Sequence, residues 1–249
     1  MQVVVDNLLT NYQLQGKGKL VLFLHGWGDS SQGSLALQNE LTKSYTVLAP
    51  DLPGFGKTQA PDKGWDLDDY AHFIKSFLDK LRLEQPYAVI GHSNGGAITI
   101  RASAQKILEP HKIVLLAAAG IRSDGSLKRG LLQVLAKTGN IATIGLPERY
   151  RRNLRESLYK SAGSDALLVE GMKETFKKTV RQDVQADAKD LQQPTLLVYG
   201  ARDKAVPPYM GERYAQLMQN SSLQMIEAGH FVHLDKPAEV TSLIQDFLR

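Results

Sequence analysis

Apolar positions along the chain follow two rhythms. The first is a set of short, nearly continuous runs: "KLVLFLHG" (19–26), "YTVLAP" (45–50), "YAVIGHS" (87–93), "KIVLLAA" (112–118), "PTLLVYG" (194–200) and "SLQMIEAGH" (222–230). Runs of this length without alternation suit strands buried on both faces, as in a parallel sheet. The second rhythm has a period of three to four. In "DLDDYAHFIKSFLDKL" (66–81) it places Tyr70, Phe73, Ile74, Phe77, Leu78 and Leu81 on one helical face. Asp66, followed by Asp68 and Asp69, suits the start of that helix, where unpaired amides favour acidic side chains. "KPAEVTSLIQDFLR" reads as a closing helix. Strand and helix alternate, which predicts a parallel sheet with helices on both faces. Residues 3–15 read as a hairpin added at the sheet edge.

One stretch departs from this alternation. Between 121 and 186 no strand pattern stands out, only helical patterns interrupted by Gly130, Gly139, Gly145, Pro147, Gly163 and Gly171. A strand–helix connection is ordinarily a few residues long. The stretch therefore reads as a helical insertion, a cap over one end of the sheet. Residues 1–120 and 187–249 make the core.

Composition narrows the chemistry. The chain has 249 residues and no cysteine, so disulfides, thiolate metal sites and cysteine nucleophiles are excluded. Its formal charge of +4 is too small to argue for nucleic acid. No run of 18 apolar residues predicts a membrane span. The N-terminus lacks a basic start followed by a long apolar run, so a cytoplasmic protein is expected. Charge is uneven, however. Residues 121–185 carry 13 Lys or Arg against 7 Asp or Glu, densest in "ERYRRNLRE" (148–156). A solvated helix face accounts for that most simply; a basic rim drawing in anionic substrates is the alternative.

The candidate chemistry sits in "IGHSNGGA" (90–97), where an apolar run ends and a helical pattern begins. Ligands of open α/β sheets bind at the carboxyl ends of the strands. Gly91-x-Ser93-x-Gly95 in strand–turn–helix context is a nucleophile elbow: a sharp turn lifts the serine hydroxyl clear, and glycines are needed where strand and helix nearly touch. A serine needs a base to take its proton. "EAGHFVHLDKP" supplies His230 directly after a strand. His233, three residues on, reads as a packing residue. His92 should point away from the Ser93 side chain, His72 lies within a helix, and His111 precedes a strand at its wrong end. Asp203 in "VYGARDKAVPP" follows a strand and suits the acid that orients the base. Asp124 is the runner-up, read as a turn residue. The acids at 183, 187 and 190 read as solvated charges. For the oxyanion, the amides of Trp27 in "FLHGWGD" and of Asn94 are placed to donate. His25 reads as an organiser of its loop, and "DLPGFGKT" (51–58) as structural support.

Taken together, these pieces resemble the α/β-hydrolase fold enzymes over nearly the whole chain. His25-Gly26-Trp27-Gly28, Asp51-Leu52-Pro53-Gly54-Phe55-Gly56, Gly91-His92-Ser93-Asn94-Gly95-Gly96, Asp203 and Gly229-His230 carry the likeness, and the order Ser93, Asp203, His230 is the family's. The resemblance implies an eight-stranded, mostly parallel sheet with residues 121–186 as the cap. It implies a serine hydrolase, and a carboxylic ester of a small or medium acyl group is the first expectation for its substrate. Hydrolysis of a carbon–carbon bond in a ring-cleavage product is the alternative, with Arg122 available for a substrate carboxylate. A lactonase and a weakly hydrolytic small-molecule sensor complete the set. Neither metal nor cofactor is expected. The expected apolar lining is Trp27 with Leu131, Leu132, Leu135, Ile141, Ile144, Met172 and Phe176.

Overall fold

The computed structural model of the chain describes residues 1–122 and 171–249, and elements are numbered along these. The strands are β1 (Gln2–Val5), β2 (Leu8–Gly16), β3 (Leu20–Leu24), β4 (Thr46–Pro50), β5 (Ala88–His92), β6 (Lys112–Leu116), β7 (Thr195–Gly200) and β8 (Ser221–Ile226). They form one eight-stranded sheet in the order β1-β2-β4-β3-β5-β6-β7-β8. From β4 through β8 every pairing is parallel, while β1–β2 and β2–β4 are antiparallel. The sheet is mostly parallel, as the resemblance implied, and the edge hairpin is present. Its turn is Asp6-Asn7, both at positive φ (45° and 64°). A two-residue turn of that hand matches the twist of the flanking strands, and Asp and Asn tolerate it.

The helices are α1 (Leu35–Leu41), α2 (Leu67–Lys80), α3 (Asn94–Ala104), α4 (Lys173–Thr179), α5 (Gln185–Asp190), α6 (Pro208–Leu217), α7 (Val232–Asp235) and α8 (Pro237–Leu248). They cover both faces, because successive strand side chains point opposite ways. Leu22 and Leu24 of β3 pack in one apolar layer with Phe73 and Phe77 of α2, Ile98 of α3 and Tyr214 of α6. Val21 and Phe23 pack in the other with Leu37 and Leu41 of α1 and Ile244 of α8. The start of α2 is a capping box: Asp66 accepts from the amides of Asp68 and Asp69, and Asp69 accepts from the amide of Asp66. Such a cap contributes about 1 kcal/mol.

The chain leaving β6 and the chain returning to β7 run side by side. The Val184 amide donates to the Gly120 carbonyl (2.9 Å) and the Arg122 amide to the Asp183 carboxylate (2.9 Å). The returning segment is tied to the loop before α2: the Trp65 amide donates to Thr175 Oγ1 (3.0 Å), Lys178 to the Gly64 carbonyl (2.7 Å) and the Leu67 amide to Gln182 Oε1 (2.6 Å). Arg101 of α3 adds a clamp, binding Asp68 through both carboxylate oxygens and Asp187 through Nε at 2.9 Å. Two of the acids read as solvated therefore are not. Asp183 and Asp187 are partly buried, because α3 and the β6 exit present donors to them; Asp190 is exposed. No helix among the described residues is long and apolar enough to cross a membrane.

Candidate active site

Three parallel strands, β5, β7 and β8, deliver the site from their carboxyl ends. β5 ends at His92, Ser93 stands alone at φ 51° and ψ −114°, and α3 begins at Asn94. A positive φ on a non-glycine residue is strained and persists only where its surroundings enforce it. Here they do. The Ser93 amide donates to the Leu116 carbonyl of β6 (3.0 Å), and the Ser93 carbonyl accepts from Gly96 and Ala119 (3.0 Å each). The flanking glycines make the turn possible. A Cβ on Gly91 would come within 2.6 Å of the Gly95 carbonyl oxygen and 2.7 Å of the Gly96 Cα. One on Gly95 would strike the Leu24 carbonyl at the end of β3. The close approach expected of an elbow is present on both sides of the serine.

His230 comes from the β8–α7 loop and Asp203 from the β7–α6 loop. Ala201 and Arg202 donate to the carbonyls of Ile226 (2.8 Å) and Ala228 (3.0 Å), so the two loops are stitched together. His230 Nδ1 lies 2.7 Å from Asp203 Oδ2, and His230 Nε2 lies 3.0 Å from Ser93 Oγ. Asp203 Oδ1 accepts from the amides of Ala205 (2.8 Å) and Val206 (2.9 Å), which fixes the carboxylate with its other oxygen toward the ring. A carboxylate only accepts, so Nδ1 carries the proton and Nε2 is bare, ready to take the proton of Ser93. The Asp203 side chain is fully buried, and that of His230 is 11% exposed. The three residues read from the sequence as nucleophile, base and orienting acid are one connected relay.

The β3–α1 loop forms the neighbouring wall. His25 is buried, its Nδ1–H donating to the Gly26 carbonyl (2.7 Å) and its Nε2 accepting from the Leu52 amide (2.9 Å). Burial lowers its pKa, so it organises the loop as a neutral ring. Asp51 ties this loop to "DLPGFGKT", accepting from the amides of Ser31 (2.7 Å) and Lys57 (2.9 Å) and from Asn11 Nδ2 (2.9 Å). Burial by itself raises the Asp51 carboxyl, but these hydrogen bonds outweigh it and hold the group below its ordinary range. A Cβ on Gly26 would lie 3.2 Å from Ser93 Cβ, so the loop abuts the nucleophile.

Trp27 packs edge-on to Phe55 (centroids 4.8 Å apart) and to Phe176 of α4 (5.2 Å). Met172 is buried against Gly54. The Trp27 Nε1 and Asn94 Nδ2 atoms are buried without a hydrogen-bond partner. Of the expected lining, Trp27 and Phe176 thus fall in one aromatic group with Phe55, and Met172 lies beside Gly54 of the neighbouring loop. Leu131, Leu132, Leu135, Ile141, Ile144 and Asp124 lie outside the described residues, as does most of the basic stretch. Arg122 is exposed.

Two features escaped the sequence reading. One is the Arg101 clamp, whose partners lie 33 and 86 residues away and share no motif. The other is a cluster of imidazoles: His92 lies 4.9 Å from both His230 and His233, ring centre to ring centre, tilted to the first and edge-on to the second. Both His92 and His233 are buried. A signal for it existed in His230-x-x-His233, which puts two imidazoles into one short loop-to-helix segment after β8.

An elbow serine, a bare imidazole nitrogen 3.0 Å away and a buried carboxylate define a hydrolase with a Ser-His-Asp triad. The family follows from the sequence: residues 21–243 match the alpha/beta hydrolase family, and the chain belongs to it. Among curated relatives, 2-hydroxymuconate semialdehyde hydrolase of Pseudomonas sp. (strain CF600) is 25% identical over 270 residues, covering 99% of this chain and 93% of its own. 2-Hydroxy-6-oxo-2,4-heptadienoate hydrolase of Pseudomonas putida is 26% identical over 272 residues, covering 99% and 95%. Among solved structures, a meta-cleavage product hydrolase from Pseudomonas fluorescens IP01 superposes with a TM-score of 0.75 at 24% identity, covering 99% of this chain and 96% of that one. That last likeness is one of fold.

Proposed function

We propose that this chain hydrolyses the carbon–carbon bond beside an aldehyde or ketone carbonyl in a ring-cleavage product of an aromatic compound. What carries the reading is the full-length likeness to two curated relatives whose names state such substrates, at 25% and 26% identity. Two buried N–H groups near the relay, Trp27 Nε1 and Asn94 Nδ2, also favour it. A ring-cleavage product carries an enol and a carboxylate besides its reacting carbonyl, acceptors that a plain aliphatic ester lacks. Buried donors without acceptors are costly unless a ligand meets them.

In this reading Ser93 Oγ attacks the carbonyl carbon while His230 takes the hydroxyl proton. The amides of Trp27 and Asn94 hold the oxyanion, Asn94 being the first residue of α3, whose leading N–H groups have no partner within the helix. The carbon–carbon bond then breaks. The leaving carbon departs as a conjugated enolate and takes up the proton that His230 accepted from Ser93, leaving an acyl group on Ser93 and His230 again neutral. Water, activated by His230, releases it as a carboxylic acid. Trp27, Met172 and Phe176 line the substrate site in this reading.

Hydrolysis of a carboxylic ester of a small molecule is the second reading. The apolar group of Trp27, Phe55, Phe176 and Met172 favours it, being suited to a hydrocarbon acyl chain. One assay separates the two. The purified chain is given a 2-hydroxy-6-oxo-2,4-dienoate, followed by loss of its absorbance, and in parallel p-nitrophenyl esters of two to eight carbons, with Ser93→Ala as the blank. The first reading expects a higher kcat/KM for the dienoate. A higher value for any ester, with the dienoate untouched, replaces it with the second.

A further inference from the structure

Acyl transfer uses one histidine, yet a second is fixed against it. His92 ends β5, one residue before the nucleophile, and is 1% exposed. Its Nε2 lies 3.2 Å from the main-chain oxygen of His230. A carbonyl only accepts, so Nε2 carries the ring proton and donates, which leaves Nδ1 bare. That Nδ1 is buried and has no partner. It faces Gly26, where a Cβ would come within 2.9 Å of it. As filling for an apolar space this is a poor choice, since leucine or phenylalanine would occupy it without an unmet nitrogen. What the imidazole alone supplies is the bond to residue 230.

That bond has a particular place in the fold. The β8–α7 loop is tied to β7 by Arg202 and closed on itself by Asp235, which accepts from the Gly229 amide at 2.7 Å. Neither contact refers the loop to the elbow. His92 does, because it is covalently joined to Ser93 and hydrogen-bonded to the backbone of His230. Serine and base are thus related twice, once through their side chains at 3.0 Å and once through His92.

We propose that His92 is a positioning residue: by donating from Nε2 to the His230 carbonyl it holds the catalytic ring in register with Ser93 Oγ. Its other neighbours fit the role. Phe231 and His233 pack against its ring at 5.2 and 4.9 Å and restrict its tilt. Burial, and then the nearby His230 and His233, hold it neutral, so it does not compete with His230 for the proton of the serine.

The test needs no knowledge of the substrate. A fluorophosphonate labels the activated serine: Ser93 Oγ bonds to phosphorus, fluoride leaves, and the hydroxyl proton passes to His230. Its kinetics separate binding (KI) from chemistry (kinact). His92→Leu removes the donor, and His92→Gln restores an N–H near the Nε2 position. We expect kinact of His92→Leu to fall about ten- to a hundredfold, the usual range for a base displaced by a fraction of an ångström to one ångström. KI should stay within about twofold of the parent and His92→Gln should recover most of kinact, because only the register of the base has changed. Parent-like labelling by His92→Leu overturns the proposal, as does an equal loss in both variants. If His92→Leu does not fold by circular dichroism, His92→Asn takes its place, its N–H being one carbon too short. Asn must then label well below Gln, and equal rates overturn the proposal. Because the probe is not a substrate, a wrong assignment of the scissile bond leaves this result intact.

Discussion

Acid should unfold this protein partly through His233, and the size of that effect follows from the site. His233 sits in α7 with both ring nitrogens buried and unpartnered. Burial first, and then the charge of His230, lower its pKa from 6.5 to about 4, with Asp235 opposing. The folded value lies below the unfolded one. As pH falls through 6.5 the unfolded chain therefore takes up a proton that the folded chain refuses. The stability involved is intact above 6.5, drains between about 6.5 and 4, and is level below that. Spread over that gap the loss is about 3 kcal/mol. The perturbation is His233→Leu, which keeps an apolar side chain of similar size and removes the titrating group. Urea unfolding followed by circular dichroism, at half-unit steps from pH 7.5 to 4.5, gives both stability curves. His25 remains in both proteins and cancels in the difference; His92 keeps its burial, the main cause of its lowered pKa, and loses only the smaller contribution of His233. The variant should be at least as stable as the parent at pH 7.5, and the parent should lose about 2.5 kcal/mol more than the variant on reaching pH 4.5. Parallel curves would refute the reasoning, since they would mean that His233 titrates alike in the folded and unfolded chain.

Ser93→Ala should fold as the parent does and lose roughly a thousandfold or more in turnover, with no fluorophosphonate label. Ser93→Gly should be equally inactive yet more stable by about 1 kcal/mol, seen as a higher Tm, because glycine relieves the positive φ at the elbow. Asp203→Asn should cost roughly a thousandfold or more in kcat, since an amide donating to Nδ1 puts the imidazole proton on Nε2, where it blocks acceptance from Ser93; an unchanged kcat would break the assigned relay. Arg101→Met should lower stability by about 2 kcal/mol at pH 7 in the same urea assay, less than for a fully buried ion pair because Asp68 is about one-third exposed; a loss under half of that would make the clamp incidental.

How much of this was legible depended on whether a feature repeats in the chain or arises only on folding. The core strands β3 to β7 announced themselves as apolar runs, because a parallel strand buried on both faces has no polar side to interrupt it, whereas β8, at the edge, is half-exposed and its run is weaker. The face of α2 was readable residue by residue, and so was its cap, since Asp66 and Asp69 act within one turn. The relay was readable because its chemistry constrains local sequence. An elbow requires Gly91 and Gly95 around Ser93, while Asp203 and His230 lie three and four residues past the ends of β7 and β8. The acids at 183 and 187 were misjudged for the opposite reason: their donors, Arg122 and Arg101, come from elements remote in sequence.

His92 shows where local reading stops short in another way. Its side chain does not reach the serine hydroxyl, and a search confined to proton acceptors for Ser93 sets it aside. Yet a catalytic base must be held as well as supplied. The relay hangs on three loops, and the loop bearing His230 follows β8, the outermost strand of the parallel run. An edge strand leaves one side unpaired, so β8 alone defines its following loop less firmly than a central strand would. Asp203, on the neighbouring β7 loop, fixes one nitrogen of the His230 ring, and a single pivot still permits the ring to swing. A second contact from the elbow side, at the main chain of the same residue, removes that freedom. The residue best placed to make it is the one before the nucleophile, because β5 ends beside Ser93 with its last side chain already buried behind the site. On this view position 92 calls for an N–H donor long enough to reach the His230 carbonyl and small enough to pack against Gly26, requirements that histidine meets and leucine does not.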